Sequence, residues 1–401
     1  MQKGGMFQRW TQIAAIVLLS LRFCVSGSTL DPKAVDDLFR MAEEKQSNAL
    51  FVHEKGQPVR EKFFNTRDRR IYLYSVTKLF SGLAIGIVRD KGLIASVEDP
   101  VGKYLPEMNL DATRAKIRIR HILQHTSGIQ TTKGSRDIYP QADFVKFAME
   151  SSVISEPGEV YEYNNRAINL VSGVIRRVSG KSMEDFLVEN LFKPLDIRDY
   201  KFGRDKAGNT WAMDGLELKA SDLVKVGKVL ANGGMWKEQR IVSEALISTA
   251  TRPCLLQLDR PSAMGLALFC SELDSRLSIP KETLVVLEKA QVSESTLAVV
   301  RSLIDREFNR QQDLGKEMKQ TLTPAQMERI AQVCGEADVP LFRRLPGGRH
   351  MVWHQGEFGV NLIAVPEIGV SVARTIDDNR GRGKPNGFEE IYTLFSKRCR
   401  R

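Results

Sequence analysis

The sequence predicts an α+β fold: an antiparallel sheet assembled from both ends of the chain, flanked by helices and carrying an inserted, mostly helical domain. Three observations predict it. Short runs rich in β-branched and aromatic residues occur near both ends, at 49–53 and 59–64 and again at 351–353, 359–365 and 369–374. The stretch between them is dominated by apolar residues three and four apart, the helical spacing. Strands at both ends with helices between bury their apolar faces best by joining one sheet. With 401 residues, 42% of them hydrophobic and 27% charged, the chain can form a sizeable core.

The elements follow in order. Lys3 and Arg9 lead an apolar stretch at 13–21 that is short for a membrane span, and Val25-Ser26-Gly27 offers small residues for cleavage. Residues 1–27 are therefore expected to be an export signal, placing the protein in the periplasm or outside the cell. Arg22 interrupts the approach to the cleavage site, so an uncleaved membrane tether stays open. The globular part is expected to be 28–401. Asp31-Pro32 reads as an N-cap with proline at the first helical position, starting a helix that runs to about Gln46. Gly56-Gln57-Pro58 punctuates a hairpin. An apolar helix runs from Ser75 to about Lys91-Gly92, with small Gly82 and Gly86 in its wall. The run 117–129 ends in a turn at His125-Thr126-Ser127-Gly128. Helices are expected at 143–151, 166–179, 183–192 and 221–231, giving a helical subdomain at about 116–260 punctuated by Gly180, Pro194 and Gly233-Gly234. Residues 271–345 are rich in Glu, Lys, Gln, Ser and Leu and carry helical periods at 284–290, 297–308 and 324–333. They read as an extra helical insertion, either a solvated decoration, a lid or a partner-binding arm. The strands then return, joined by a turn at Pro366-Glu367-Ile368-Gly369, and 387–396 is expected to be a closing helix.

The formal net charge of +10 (59 Lys and Arg against 49 Asp and Glu) is spread along the chain, apart from Arg67-Asp68-Arg69-Arg70 and the tail from Lys397 to Arg401. No nucleic-acid module and no basic stripe interleaved with aromatics is present, so nucleic acid is not expected as a partner. The five histidines are scattered and no Cys/His spacing suggests zinc, so no metal and no cofactor is expected. Beyond the signal, Cys254, Cys270, Cys334 and Cys399 allow three pairings or four buried thiols. Cys270 with Cys334 is the expected bridge if one exists, because these two flank the insertion.

The chemistry centres on Ser75-Val76-Thr77-Lys78. Serine and lysine three apart share one helix face. Ser75 at the helix start has an outward-pointing backbone N–H, where negative charge is favoured. Lys78, sunk in an apolar wall, should lose proton affinity through desolvation. A serine beside such a lysine is a known activated nucleophile, although Ser-x-x-Lys alone is common as an N-cap and a surface lysine. Ser127 is a rival nucleophile without a Lys or His one turn onward, so 125–128 reads as a structural turn. Asp99 and Glu159 read as solvated loop acids.

Further phrases join this one: Tyr163-Asn164-Asn165 after Pro157-Gly158, His354-Gln355-Gly356 on a late strand, His125-Thr126-Ser127-Gly128, and Leu218-Lys219-Ala220-Ser221-Asp222-Leu223 with Asn232-Gly233-Gly234 behind it. Together they resemble the serine β-lactamase and penicillin-binding-protein superfamily, in its class C-like branch of β-lactamases, D-alanyl-D-alanine carboxypeptidases, D-aminopeptidases and esterases. The resemblance covers about 35–270 and 345–395 and leaves the insertion unmatched. It implies a β-lactamase/transpeptidase-like fold and hydrolysis through an acyl-enzyme on a D-amino-acid peptide (cell-wall peptide included), a β-lactam or a small ester. The alternative is a catalytically silent cell-wall-binding or regulatory protein on the same scaffold. It implies Ser75, Lys78 and Tyr163 as catalytic residues and Asn165, His354, Gly356 and Glu357 as the substrate-binding and oxyanion group. On this reading the Lys78 cation lowers the Tyr163 pKa, and Asn165 orients Lys78 and the substrate amide. His354 faces the serine and donates to Tyr163 or a substrate carboxylate. The amides of Ser75 and Glu357 form the oxyanion hole, with Gly356 admitting the reacting carbonyl. Three departures stand out. Histidine replaces the third-motif lysine, Asn164 sits where serine or alanine is commoner, and Glu357 sits where a small residue is common and would repel an anionic substrate.

Overall fold

The computed structural model describes residues 30–377, except 133, 251–262, 274–275, 305, 309–310, 338 and 346–347. The expected signal segment, the closing helix at 387–396, and Cys254 and Cys399 lie outside the described residues.

Helix α1 (Pro32–Glu44) starts on Asp31, whose carboxylate accepts from the Lys33 amide at 2.8 Å. Strands β1 (Ala49–Glu54) and β2 (Gln57–Phe63) form the expected hairpin, turning at Gly56, whose φ is +76°. Helix α2 (Thr77–Asp90) follows a 3₁₀ turn, Tyr74–Val76, that carries Ser75. Helices α3 (Leu170–Ser179) and α4 (Ala220–Ala231) belong to the helical block. The C-terminal part supplies β3 (Ala263–Met264), β4 (Phe269–Glu272), β5 (His350–Gln355), β6 (Asn361–Val365) and β7 (Val370–Thr375). All seven strands form one antiparallel sheet in the order β2-β1-β7-β6-β5-β4-β3, so strands from the two ends meet where β1 pairs with β7, Val52 opposite Val372. The sequence reading placed no strand at β3 or β4. Both are short, and their residues lack a clear two-residue alternation.

The two-residue period sorts each strand between two cores. Leu50, Val52, Ile363 and Val372 pack beneath α1 with Leu38 and Phe39. Phe51, Leu362, Ala364 and Ala373 face the larger core, which includes Leu79, Leu83 and Val88 of α2 and Leu223 and Val226 of α4. Gly82 lets α2 lie close to the segment before β4, since a Cβ there would stand 2.2 Å from the Leu266 carbonyl oxygen. The serine helix is thus wedged between the sheet and the helical block.

The stretch between β4 and β5 contains helices at Lys281–Lys289, Glu294–Leu303, Gln311–Thr321 and Pro324–Glu336 around a core of its own, including Leu287, Val300, Phe308 and Ile330. A two-stranded ladder, Arg276–Ser278 with Arg343–Leu345, closes its base; the sequence reading did not expect it. The Cys270–Cys334 bridge does not form. Cys270 is a buried thiol in β4 of the main sheet, whereas Cys334 is buried in the insertion's own core. Flanking an insertion in sequence does not bring two residues within bonding reach.

Candidate active site

Ser75 sits where three parts of the fold meet: the turn leading into α2, the segment 209–217 that precedes α4 in the helical block, and the end of β5. Its position is strained, because the preceding Tyr74 has φ +50°. Ser75 lines a cavity of about 700 Å³ with Tyr72, Tyr74, Tyr139, Asn165, Asp214 and Glu357 among its walls. Lys78, one turn into the helix, is fully buried, and its Nζ donates to Ser75 Oγ at 3.0 Å and to the Met213 carbonyl at 2.7 Å. Desolvation pulls Lys78 down to about 7, with the Asp214 charge opposing. The expected serine–lysine pair is therefore assembled with an ammonium that readily gives up its proton.

Tyr163 also meets this pair, but in a different state from the expected one. The Lys78 ammonium lies over the Tyr163 ring, 5.0 Å from its centroid. Burial pushes the phenol well above its ordinary range, and the neighbouring Ser75 hydroxyl opposes this only in part. Tyr163 is accordingly a neutral phenol, fit to donate or relay a proton but not to act as a standing phenolate. The turn at His125–Gly128 holds it in place. The Glu162 amide donates to the His125 carbonyl at 2.9 Å, the Asn164 amide donates to His125 Nδ1 at 3.1 Å, and the His125 ring lies 4.4 Å from that of Tyr163. The structural reading of that turn holds, and its task is now specific.

The other expected residues divide. Asn165 reaches the cavity, yet it does not orient Lys78: its Nδ2 donates to Ser135 Oγ at 2.7 Å, and the Met213 carbonyl holds the lysine instead. The unusual Asn164 caps the next turn, with Oδ1 accepting from Arg166 N at 3.0 Å and Ala167 N at 2.8 Å. His354 is on the face of β5 toward the serine helix but lies fully buried, beneath the cavity and not in its wall. Its Nδ1 donates to the Gln355 carbonyl at 3.1 Å, and burial with the Lys78 charge nearby holds it down to about 3. It stays neutral and lies outside the cavity wall, so the expected donation to a substrate carboxylate is not seen in this arrangement. Gly356 is also needed for a different reason. A Cβ there would stand 2.4 Å from the Leu73 carbonyl oxygen and 3.1 Å from Tyr74 Cβ, so the close approach is to the chain's own nucleophile turn. That approach makes neighbours of two 3₁₀ turns, Tyr74–Val76 and Glu357–Gly359, whose Tyr74 and Phe358 rings lie 5.3 Å apart and whose Ser75 and Glu357 both line the cavity. First-turn amides lack an intrahelical acceptor and suit a developing oxyanion.

The sequence reading missed Asp214. It follows the carbonyl that holds Lys78, is 9% exposed, and accepts from the Tyr139 hydroxyl through Oδ2. An acid within Trp211-Ala212-Met213-Asp214-Gly215, between apolar and small residues, was the available signal.

A model of the β-lactamase family matches residues 35–387. Protein flp of Staphylococcus aureus (strain MW2) is 27% identical over 172 residues, which cover 41% of this chain and 34% of that protein. The match thus spans about a third of that relative's length. The octameric penicillin-binding protein homologue from Pyrococcus abyssi has a similar structure, with a TM-score of 0.57, 18% identity, and 90% of this chain and 76% of that one covered. So does a D-stereospecific amidohydrolase from Streptomyces, with a TM-score of 0.54, 16% identity, and coverage of 88% and 97%. With the family match extending over most of the chain and the antiparallel sheet framing a serine–lysine pair, this protein belongs to the β-lactamase family of serine hydrolases.

Proposed function

We propose that this protein is an exported serine hydrolase that opens an amide or ester through an acyl-enzyme on Ser75. The observation that carries this reading is the Lys78 Nζ 3.0 Å from Ser75 Oγ, buried and held down to about 7. At neutral pH a substantial fraction of Lys78 is the free amine. That amine takes the Ser75 proton as Oγ attacks the carbonyl, while its own N–H remains tied to the Met213 carbonyl. The amides of Ser75 and Glu357 hold the oxyanion. The Lys78 proton passes to the leaving group, with the Tyr163 phenol as the neighbouring relay, and water then releases the acyl group by the same path. The charged lead and apolar stretch of residues 1–27 support export, and the substrate is then an extracytoplasmic peptide, β-lactam or small ester.

The test is labelling by a fluorophosphonate together with hydrolysis of p-nitrophenyl acetate. Wild type should label at Ser75 and turn the ester over, and Ser75→Ala should do neither while keeping its thermal unfolding transition. Turnover retained in Ser75→Ala would assign the nucleophile elsewhere. A folded wild type inert to both probes would leave the silent scaffold.

A further inference from the structure

We propose that the cavity selects substrates bearing a positively charged amine, received at Asp214 among Tyr72, Tyr74 and Tyr139, and not substrates ending in a carboxylate. The inference rests on the serine-hydrolase reading and names the substrate class of that same site.

The charges around the cavity support it. Arg69 is engaged by Asp377, and Arg70 by Asp199 at 2.6 Å and Glu217 at 3.8 Å. Glu217 is further held by Lys201 at 2.9 Å. These groups largely neutralise one another at the rim. Asp214 and Glu357 line the same cavity; neither makes an ion pair within 4 Å among the described residues, although the buried Lys78 charge acts on Asp214 from farther off. Asp214 is 9% exposed; its Oδ2 accepts from Tyr139 and the Tyr72 hydroxyl also acts on the carboxylate, while Oδ1 is buried with no hydrogen bond within 3.5 Å. A buried acceptor left unmade is costly, and a ligand N–H that displaced the tyrosine side chains covering the carboxylate would satisfy it. Asn165 Oδ1 is a second unsatisfied acceptor in the cavity wall.

The surroundings suit a cation. Tyr72 and Tyr74 pack edge to face with centroids 4.7 Å apart, and Tyr139, half exposed, closes over Asp214. Aromatic faces beside a carboxylate attract an ammonium more than a neutral group, and repel a carboxylate. Burial also lifts the Asp214 carboxyl above its ordinary range, with Tyr139, the Lys78 charge and Tyr72 opposing in part, and a bound cation would oppose it further. The neutral, buried His354 withdraws the cation that would pair with a substrate carboxylate, and Glu357 sits at the oxyanion turn instead. Arg136 lines the cavity as well and is the group that would favour the opposite charge.

The test is competitive inhibition of p-nitrophenyl acetate hydrolysis by the full-length chain at pH 7, with n-hexylamine, hexanoate and 1-hexanol. Protonated hexylamine should inhibit at least about tenfold more tightly than the other two, the scale of one charge-assisted contact. Asp214→Asn should erase that preference, with the thermal unfolding transition reporting that the variant has folded. If Asp214→Asn does not fold, Glu357→Gln and Tyr139→Phe should each weaken the preference. Equal inhibition by all three compounds overturns the proposal. So does tighter inhibition by hexanoate that is lost in Arg136→Ala. Absence of Ser75-dependent hydrolysis overturns the hydrolase reading instead. Calorimetric titration of hexylamine against hexanoate then still decides the charge preference.

Discussion

Gly356→Ala tests the geometry most directly. The added Cβ would stand 2.4 Å from the Leu73 carbonyl oxygen and 3.1 Å from Tyr74 Cβ. Its obstacle is backbone on the nucleophile turn, not the flexible end of a side chain. Ordinary contact requires the end of β5 and that turn to part by roughly 1 Å. Overpacking of this kind costs about 1–3 kcal/mol, so the variant should fold with a lowered melting temperature. The catalytic effect should be larger than the loss of stability implies. The same separation moves the Glu357 amide away from the Ser75 amide, and loss of one oxyanion donor costs about 10²–10³-fold. A displacement of about 1 Å near the reacting atoms carries a similar penalty. The expected result is a fall of about 10²-fold in kcat/KM for p-nitrophenyl acetate, in a protein that still unfolds cooperatively. The assay is initial-rate hydrolysis alongside thermal unfolding. Turnover within threefold of wild type, in a variant whose melting temperature has dropped, would show that the two turns do not cooperate on the substrate and would refute the oxyanion assignment.

Three further predictions concern Lys78 and the insertion. In the fold Lys78 releases its proton near 7, whereas in the unfolded chain it keeps it to about 10.5. The unfolded state therefore holds the extra proton between those values, and stability should rise with pH across that window. From pH 7 to 9 this contributes roughly 2 kcal/mol, which Lys78→Met should remove in denaturant titrations while also abolishing Ser75 labelling; an unchanged pH dependence would refute the depressed lysine. The same protonation makes wild-type kcat/KM rise as pH passes through about 7, and a flat profile over pH 5–9 would exclude Lys78 as the base. Replacing 274–348 by an Asn-Gly turn should leave Ser75 labelling within about threefold of wild type. The Leu273 amide already donates to the Arg349 carbonyl at 3.0 Å, and the excised segment has its own core. Loss of labelling in a folded deletion variant would make the insertion part of the site.

The sequence reading and the structure agree where the signal is local. Asp31-Pro32 starts a helix through contacts within one turn, and the strands of both ends carry their two-residue alternation in adjacent residues. Ser75 and Lys78 meet because they lie one helical turn apart. The phrase 125–128 reads as a turn because Gly128 adopts φ +72°. Strands β3 and β4 escaped notice because strands of two and four residues offer too few positions for a period to emerge.

By itself, then, the sequence determined the strands at both ends and the serine–lysine pair, which follow from spacing within one segment; the two later motifs were legible only through the family resemblance. Only the tertiary structure decided the chemical state of each group. It made Tyr163 a neutral phenol, buried His354 beneath the cavity, gave the Lys78 ammonium to a carbonyl instead of Asn165, placed Asp214 in the wall, and kept Cys270 and Cys334 in separate cores. Proton affinity and access depend on how completely water is excluded, and here the excluding atoms come from segments more than a hundred residues apart in the chain.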